Sequence, residues 1–146
     1  MLMKVFPHGT GEGDKPSRYL VRPDYPGRDT APPQVLRGDP AMTRALVDSI
    51  ERRWKFTSGV LSWHPDDKVS EEQEEEVMDA FEQVAFAGLE ADQRNILWVR
   101  HTHAGHHELH FLIPRLELSS GKDFNACPPG WQKDFDVFRD LFNWRE

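Results

Sequence analysis

Two strand-like runs joined by a short glycine-containing segment constrain this chain more than any other feature. The runs Ile96–Val99 and Leu109–Ile113 are rich in aromatic, β-branched and other apolar residues, which favours β-strands. Between them, Ala104-Gly105 suits a two-residue turn, because glycine readily adopts a positive φ. A turn this short predicts a β-hairpin in which residues 101 and 108 lie opposite each other.

This hairpin also carries five of the seven histidines of the chain: His101, His103, His106, His107 and His110. Strand alternation puts positions 101, 103, 106, 108 and 110 on one face, where opposite side chains lie about 5 Å apart at Cβ. His101, Glu108 and His110 therefore surround one point, as the ligands of a divalent metal do. The alternative is a set of ordinary polar residues near solvent, and a register slip of one residue would separate the three side chains.

Length, cysteine content and hydropathy bound the class of protein. A chain of 146 residues is expected to form one domain. Its single cysteine, Cys127, excludes an internal disulfide framework and fits a reducing cytoplasm. No apolar run has the length of a membrane span and no signal peptide is recognisable, so we expect a cytoplasmic protein without a membrane segment.

The net charge of −7 is unevenly distributed along the chain. Residues 1–55 contain ten Lys and Arg against seven Asp and Glu, whereas residues 56–146 contain eight against eighteen. Much of the negative charge lies in Glu71–Glu76, which the pattern predicts to be the solvated start of a helix. Because exposed charges beyond roughly 10 Å are screened at 0.1 M salt, a local basic surface could still bind nucleic acid.

The remaining pattern predicts an α+β fold. Strands are predicted over residues 3–6, 34–37 and 55–63, and helices over residues 16–22, 40–53, 70–88 and 131–144. A bulge is predicted at Gly59, and the second hairpin strand is expected to extend toward Leu118. In the last helix the predicted core stripe is Phe135, Phe138, Leu141 and Phe142. The result is an antiparallel sheet of about five strands, with its longer helices packed on one face and the metal site, left open, on the other.

Several motifs together resemble one known family. They are Phe56–Ser62, Phe86–Leu89, Glu108–Pro114, Gly121–Asn125 and Pro128–Gly130. In these motifs and their order the chain resembles the MobA-type relaxases of mobilisable plasmids, which are HUH endonucleases that nick single-stranded DNA. A colicin-plasmid branch has a His followed by Glu-x-Asn. The present chain has that spacing, with His110 in place of the asparagine.

The resemblance implies a palm-like sheet, a divalent metal ion bound by His101, Glu108 and His110, and a catalytic tyrosine. Mn²⁺ or Mg²⁺ is the expected metal ion, with Zn²⁺ as an alternative. The best match for the tyrosine is Tyr19, which would attack a DNA phosphodiester and form a 5′-phosphotyrosyl link; without the resemblance it would be interpreted as a packing residue, and Tyr25 is its competitor. The branch has an acid where this chain has His103.

The resemblance leaves the supporting residues open. His103 and His106 are candidates for a base, a further ligand or a residue that supports the ligands. The expected phosphate contacts are Arg18, Arg22, Arg37 and Lys122. Trp63, Trp98 and Trp131 are interpreted as core residues in preference to base-stacking residues.

The function that follows is site- and strand-specific nicking of single-stranded DNA at a plasmid transfer origin, with accessory mobilisation proteins as further partners. A metal-stabilised single-stranded DNA-binding module without catalysis is the alternative, and a zinc hydrolase comes third. The relaxase domain is expected to span residues 1–146. The helical pattern at its C-terminal end is compatible with the N-terminal part of a longer protein.

Overall fold

The computed structural model describes residues 1–11, 14–22, 27–28, 31–102 and 105–145. Tyr25, His103 and Ala104 lie outside the described residues. The elements are β1 (Leu2–Val5), α1 (Asp14–Val21), β2 (Gln34–Arg37), α2 (Pro40–Asp48), β3 (Phe56–Ser62), α3 (Glu71–Ala85), a 3-10 turn (Ala91–Gln93), β4 (Leu97–His101), β5 (Glu108–Pro114), α4 (Trp131–Asp134) and α5 (Asp136–Arg145).

The strands form one antiparallel sheet in the order β1-β3-β5-β4-β2. In the central hairpin Leu97 pairs with Leu112 and His101 pairs with Glu108, so the predicted register is confirmed. Strand pairing ends at that second pair, and the backbone N–H of Gly105 donates to Thr102 O at 3.3 Å. The connection is thus longer than the predicted two-residue turn.

One face of the sheet is covered by α3 and α5, which bury the main apolar core. Phe81 of α3 lies at its centre, with its ring centroid 4.6 Å from that of Phe111 and 5.1 Å from that of Trp98. Ser70 caps α3 in a capping box with Gln73, which satisfies backbone donors of the first turn. Full burial of one phenylalanine side chain contributes about 1.5–3 kcal/mol.

The opposite face carries the two shorter helices. Leu20 of α1 packs on Leu97, Val99 and Leu112, and α1 and α2 contact each other and β5. The α+β prediction is confirmed, with the longer helices on one face. The other face is less open than predicted, because α1 covers part of it.

Local differences from the prediction have physical causes. Gly59 forms no bulge: β3 pairs with β5 without interruption, and a Cβ at Gly59 would lie 2.4 Å from Lys4 O and 2.5 Å from Phe111 Cζ. The last predicted helix is divided at Phe135 into α4 and α5. The core prediction for Leu141 was wrong, since its side chain is 46% exposed on the outer side of α5.

Two predicted boundaries also moved. The helix predicted to reach residue 53 ends at Asp48, after which the Ser49 hydroxyl donates to Leu46 O. β5 ends at Pro114, before the predicted limit near Leu118. Within the described ranges, every helix is too short or too polar to span a bilayer.

Candidate metal and nucleic-acid site

His101, Glu108 and His110 converge at the hairpin. Each offers a ligand atom, and these atoms all lie within 4.8 Å of one another. The register explains this, because His101 is paired directly with Glu108 and His110 follows two residues later on the same face. The rings of His101 and His110 have centroids 4.2 Å apart. The three side chains, called the triad below, form a compact set of two nitrogen donors and one oxygen donor.

A hydrogen bond to the backbone sets the chemistry of His101. Its Nε2 lies 2.7 Å from Leu20 O, and a carbonyl oxygen can only accept, so Nε2 carries the hydrogen. In the neutral ring the lone pair is then on Nδ1. Metal-binding histidines commonly donate their other N–H to a carbonyl in this way, which fixes the ring orientation. The residues present therefore fit a bound metal ion.

Glu108 is held as a carboxylate by its two histidine neighbours. His110 Nε2 lies 3.0 Å from one carboxylate oxygen, and His106 Nε2 lies 2.9 Å from the other. The hydrogen bond from His110 has the largest effect on the pKa of Glu108 and, with the contribution of His106, outweighs burial and lowers that pKa to about 2. An ionised oxygen ligand beside two imidazoles suits Mn²⁺ or Zn²⁺.

Tyr19 lies at the edge of the triad. Its ring centroid is 6.5 Å from that of His101 in an edge-on arrangement, and the residue is 42% exposed. It also lines a mainly apolar cavity of about 180 Å³ together with Phe6, His110 and Leu112. The C-terminal turn of α1 thus places a phenol beside the predicted metal ligands.

The metal face is partly covered by α1, whereas the sequence predicted an open face. His101 and His110 are both buried. The expectation assumed that a covering helix could not satisfy buried imidazoles. In the structure, α1 supplies the Leu20 carbonyl and Glu108 supplies its carboxylate, so both rings are paired.

Arg28 belongs to this site and was missed by the sequence analysis. It is fully buried, and its guanidinium carbon lies 4.8 Å from the centroid of the Tyr19 ring. Its Nη1 donates to Tyr19 O and, at 2.9 Å, to Arg22 O. Nothing in its local sequence distinguishes it from other loop cations, because its position depends on contacts with α1 and not on a local pattern.

The four predicted phosphate contacts are distributed over the molecule. Arg22 is exposed directly after α1, and Arg18 lies within α1, although its side chain is outside the description. Lys122 is exposed in the turn that follows β5, at the end of the strand away from Glu108. Only the two arginines adjoin Tyr19 in the chain.

Arg37 is placed elsewhere. Its guanidinium pairs with Glu75, Asp79 and Glu82 of α3 at 2.5–2.7 Å. These ion pairs link β2 to α3, and their carboxylates repel a phosphate. The DNA contact at Arg37 stays a prediction, and this environment does not favour it. Trp63 and Trp98 are buried, which agrees with the core interpretation.

A second network supports the hairpin from the α3 side. Glu74 is 2% exposed and accepts hydrogen bonds from Arg100 Nε and His107 Nε2, both at 2.7 Å. Burial raises the pKa of Glu74, but the hydrogen bonds from Arg100 and His107 outweigh burial, so the pKa is lowered overall. This network anchors His107, the residue before Glu108, to α3.

Comparison with known proteins decides the family. Residues 40–142 match the family described as Relaxase: MobA/VirD2-like, nuclease domain. The chain belongs to the MobA/VirD2-like relaxases. The matched range contains the whole triad and confirms the family predicted from the motifs; Tyr19 precedes it.

Two relatives agree with this family. The relaxase is 43% identical to cryptic plasmid protein C of Neisseria gonorrhoeae over 122 residues, which are 84% of this chain and 58% of that protein. It is 39% identical to the DNA relaxase MbeA of Escherichia coli over 122 residues, which are 84% of this chain and 23% of that protein. The relaxase chain therefore spans less than two thirds of either relative.

Proposed function

We propose that this relaxase domain nicks single-stranded DNA by transesterification, with Tyr19 as the nucleophile. The observation that carries the proposal is the position of the Tyr19 ring, 6.5 Å from the ring of His101 at the edge of the triad. A purely structural tyrosine has no need of a neighbouring set of metal ligands. A partly exposed phenol beside such a set has both access to substrate and a means of activation.

The reaction exchanges one phosphodiester for another. The phenol oxygen of Tyr19 forms a bond to phosphorus, and the bond from phosphorus to the 3′ oxygen breaks. The 3′ oxygen takes a proton from solvent and leaves as a 3′ hydroxyl. The phenol proton passes to a base, for which we propose His103 or His106. The phosphotyrosyl link retains the energy of the original ester, so the strand can later be rejoined.

His101, Glu108 and His110 would hold the divalent ion. Bound there, it would polarise the scissile phosphate and stabilise charge on the non-bridging oxygens. Two features of the chain favour metal binding: the hydrogen bond to Leu20 O fixes the His101 ring, and the neighbouring histidines keep Glu108 ionised.

Arg28 complements the triad. A buried guanidinium over the Tyr19 ring stabilises negative charge that develops on the phenol oxygen during attack. Its bonds to the carbonyls of Tyr19 and Arg22 hold the end of α1 in the orientation that presents the phenol. The same positive charge attracts the phosphate, with Arg18 and Arg22 as further contacts.

We further propose that the substrate is the transfer origin of a plasmid and that the activity serves mobilisation. The support is the family, together with relatives described as a DNA relaxase and a cryptic plasmid protein. Residues 1–146 would constitute the nicking domain, acting with accessory mobilisation proteins.

The test is a covalent adduct. Protein, Mn²⁺ and a single-stranded oligonucleotide carrying the transfer origin are mixed, and the products are separated on a denaturing gel. A slowly migrating protein–DNA band is expected with the wild-type chain, and none with Tyr19→Phe, which removes only the hydroxyl. The matched control is Tyr25→Phe, which should form the adduct normally. Adduct formation by Tyr19→Phe would refute the assignment of the nucleophile.

A further inference from the structure

An exposed tryptophan among cations lies far from the triad. Trp54 stands between α2 and β3, is 39% exposed, and is flanked in the sequence by Arg52, Arg53 and Lys55. The surface formed by these four residues and Lys122 is called the Trp54 surface. None of its members takes part in the site described above.

The tryptophan ring is held in place by two neighbours. The guanidinium carbon of Arg53 lies 4.6 Å from the centroid of the Trp54 ring, and the ring of His8 meets it edge-on at 6.3 Å. A cation stacked on an indole makes a flat, pre-oriented platform. Aromatic and arginine planes of this kind stack nucleobases without strong sequence preference.

A side-chain bridge brings Lys122 to the same surface. Arg52 donates to Gly121 O at 3.1 Å and to Arg115 O at 2.8 Å, which fixes the turn containing Lys122 beside Arg52. The guanidinium of Arg52 therefore binds two backbone carbonyl oxygens. Arg53, Lys55 and Lys122 supply the charge that faces solvent.

The local charge is positive although the chain carries −7 overall. Arg115 and Asp123 form an ion pair at 2.7 Å and neutralise each other. Two carboxylates, those of Glu51 and Glu117, then offset part of the charge of the four cations of the Trp54 surface. Four cations against two carboxylates leave a formal excess of two positive charges. Together with the exposed ring, this complements a single strand of nucleic acid.

The sheet sets the distance between this surface and the triad. Phe56, two residues after Trp54, pairs with Pro114, whereas Ser62 pairs with Glu108. Six steps along a strand at about 3.3 Å each separate the two ends by roughly 20 Å. Near the Trp54 surface, the backbone of Gly9 hydrogen-bonds to the backbones of Lys55 and Phe56. Further along the chain comes α1, and Leu20 O in its last turn accepts the hydrogen bond from His101. A strand of several nucleotides can follow α1 from one surface to the other.

We propose that the Trp54 surface binds single-stranded DNA several nucleotides away from the scissile phosphate, with one base stacked on Trp54 and phosphates on Arg53, Lys55 and Lys122. The proposal rests on the proposed function, because it places both surfaces on one DNA strand. It adds a second anchor that sets affinity without taking part in the chemistry.

The test compares two lengths of DNA. Fluorescence anisotropy gives Kd for dye-labelled oligothymidylates of about 6 and about 20 nucleotides, within and beyond the usual span of one small binding surface. Wild type should bind the longer one more tightly. Trp54→Ala should weaken binding of the longer one about tenfold, as expected for the loss of one base stack. The shorter one should lose about twofold at most, because it occupies one surface at a time and can still bind at the triad. Trp54→Phe, which keeps an aromatic ring, should restore most of the difference.

A charge variant with a matched control gives a second measurement. Arg53→Gln with Lys55→Gln should reduce the slope of log K against log salt by about 1.4, since each phosphate contact on a single strand contributes about 0.7. Lys68→Gln with Lys133→Gln removes the same charge from other exposed positions and should leave the slope unchanged. Equal effects of the two double variants would show only the loss of overall charge and would overturn the proposal.

The outcomes separate this proposal from the nicking function. Equal loss of affinity for both lengths in Trp54→Ala would show a structural role for the ring and overturn the proposal, even if the covalent adduct forms. A length-dependent loss in a chain that never forms the adduct would support the Trp54 surface and count against nicking. Circular dichroism of each variant confirms that the fold is retained.

Discussion

Replacement of Glu74 by alanine should destabilise the fold far more than its position in an acidic run suggests. Its carboxylate is buried and accepts hydrogen bonds from Arg100 and His107. The Glu74→Ala variant leaves the guanidinium of Arg100, whose side chain is 17% exposed, and the imidazole of His107 without this acceptor. Breaking a buried charged pair in this way costs about 3–5 kcal/mol.

The matched control lies on the same helix. Glu72 is exposed, so Glu72→Ala removes the same charge from the same turn of α3 without opening a buried pair. A change within about 0.5 kcal/mol is expected for it. For a domain of this size 1 kcal/mol corresponds to about 3 °C in Tm, so Glu74→Ala should lower Tm by roughly 10–15 °C. Urea unfolding and calorimetry measure both values.

Acid should act on the same carboxylate. The pKa of Glu74 is lower in the folded chain than its ordinary value, so its contribution to the free energy of unfolding is complete above about pH 4.5 and is lost as pH falls through the folded-state pKa. The Glu74→Gln variant keeps the shape without the titrating group, so its stability should fall less between pH 5 and pH 3, a range set by ordinary carboxyl values of about 4–4.5. Comparable destabilisation by Glu74→Ala and Glu72→Ala would refute the reasoning.

Three further outcomes are expected. Glu108→Ala should reduce the rate of Mn²⁺-dependent adduct formation at least about tenfold, the lower end of the effect of disturbing a metal site, while the Kd for single-stranded DNA changes little. Equal losses of rate and of affinity would show that the triad serves to bind DNA. Gly59→Ala should lower the free energy of unfolding by about 1–3 kcal/mol in urea, because the added Cβ meets the backbone of β1. Gly11→Ala, whose Cβ meets nothing within 4 Å, should leave it unchanged, and similar unfolding midpoints for the two variants would contradict this. Burial raises the pKa of the Cys127 thiol to about 12, so at pH 7.5 it should react with a thiol reagent only after unfolding, and prompt reaction of the folded chain would contradict that burial.

The hairpin and its triad could be predicted because their determinants are local. Alternation has a fixed period of two, and strand pairing around a glycine turn fixes which residues face each other. Once His101 is opposite Glu108, the position of His110 follows. The connection is longer than predicted, but pairing ends equally early on both strands. His101 therefore still lies opposite Glu108, as predicted.

Other parts of the site depend on contacts between distant segments. Arg28 lies over the Tyr19 ring, and no spacing in the sequence encodes that contact. Glu74 is one acid in the run Glu71–Glu76, and its burial follows from facing Arg100 across the core. Hydrophobic periodicity ranks a glutamate as exposed, so it cannot reveal a buried ion pair.

The wrong core prediction for Leu141 and the wrong prediction of an open metal face have the same cause. A pattern shows which residues repeat along a helix, but the width of the covering layer is set by neighbouring elements. Leu141 lies beyond the edge of that layer on α5, and His101 lies beneath α1. Both errors are errors of packing between elements.

The bond from His101 to Leu20 O has a consequence for protein engineering. Its acceptor belongs to the backbone of the residue after Tyr19, so a substitution at position 19 does not remove that acceptor. Residue 19 can therefore be exchanged for cysteine or serine while the imidazole keeps its tautomer and orientation. Under the mechanism proposed above, such variants would present a different nucleophilic atom at position 19 to the DNA without disturbing the His101 ring.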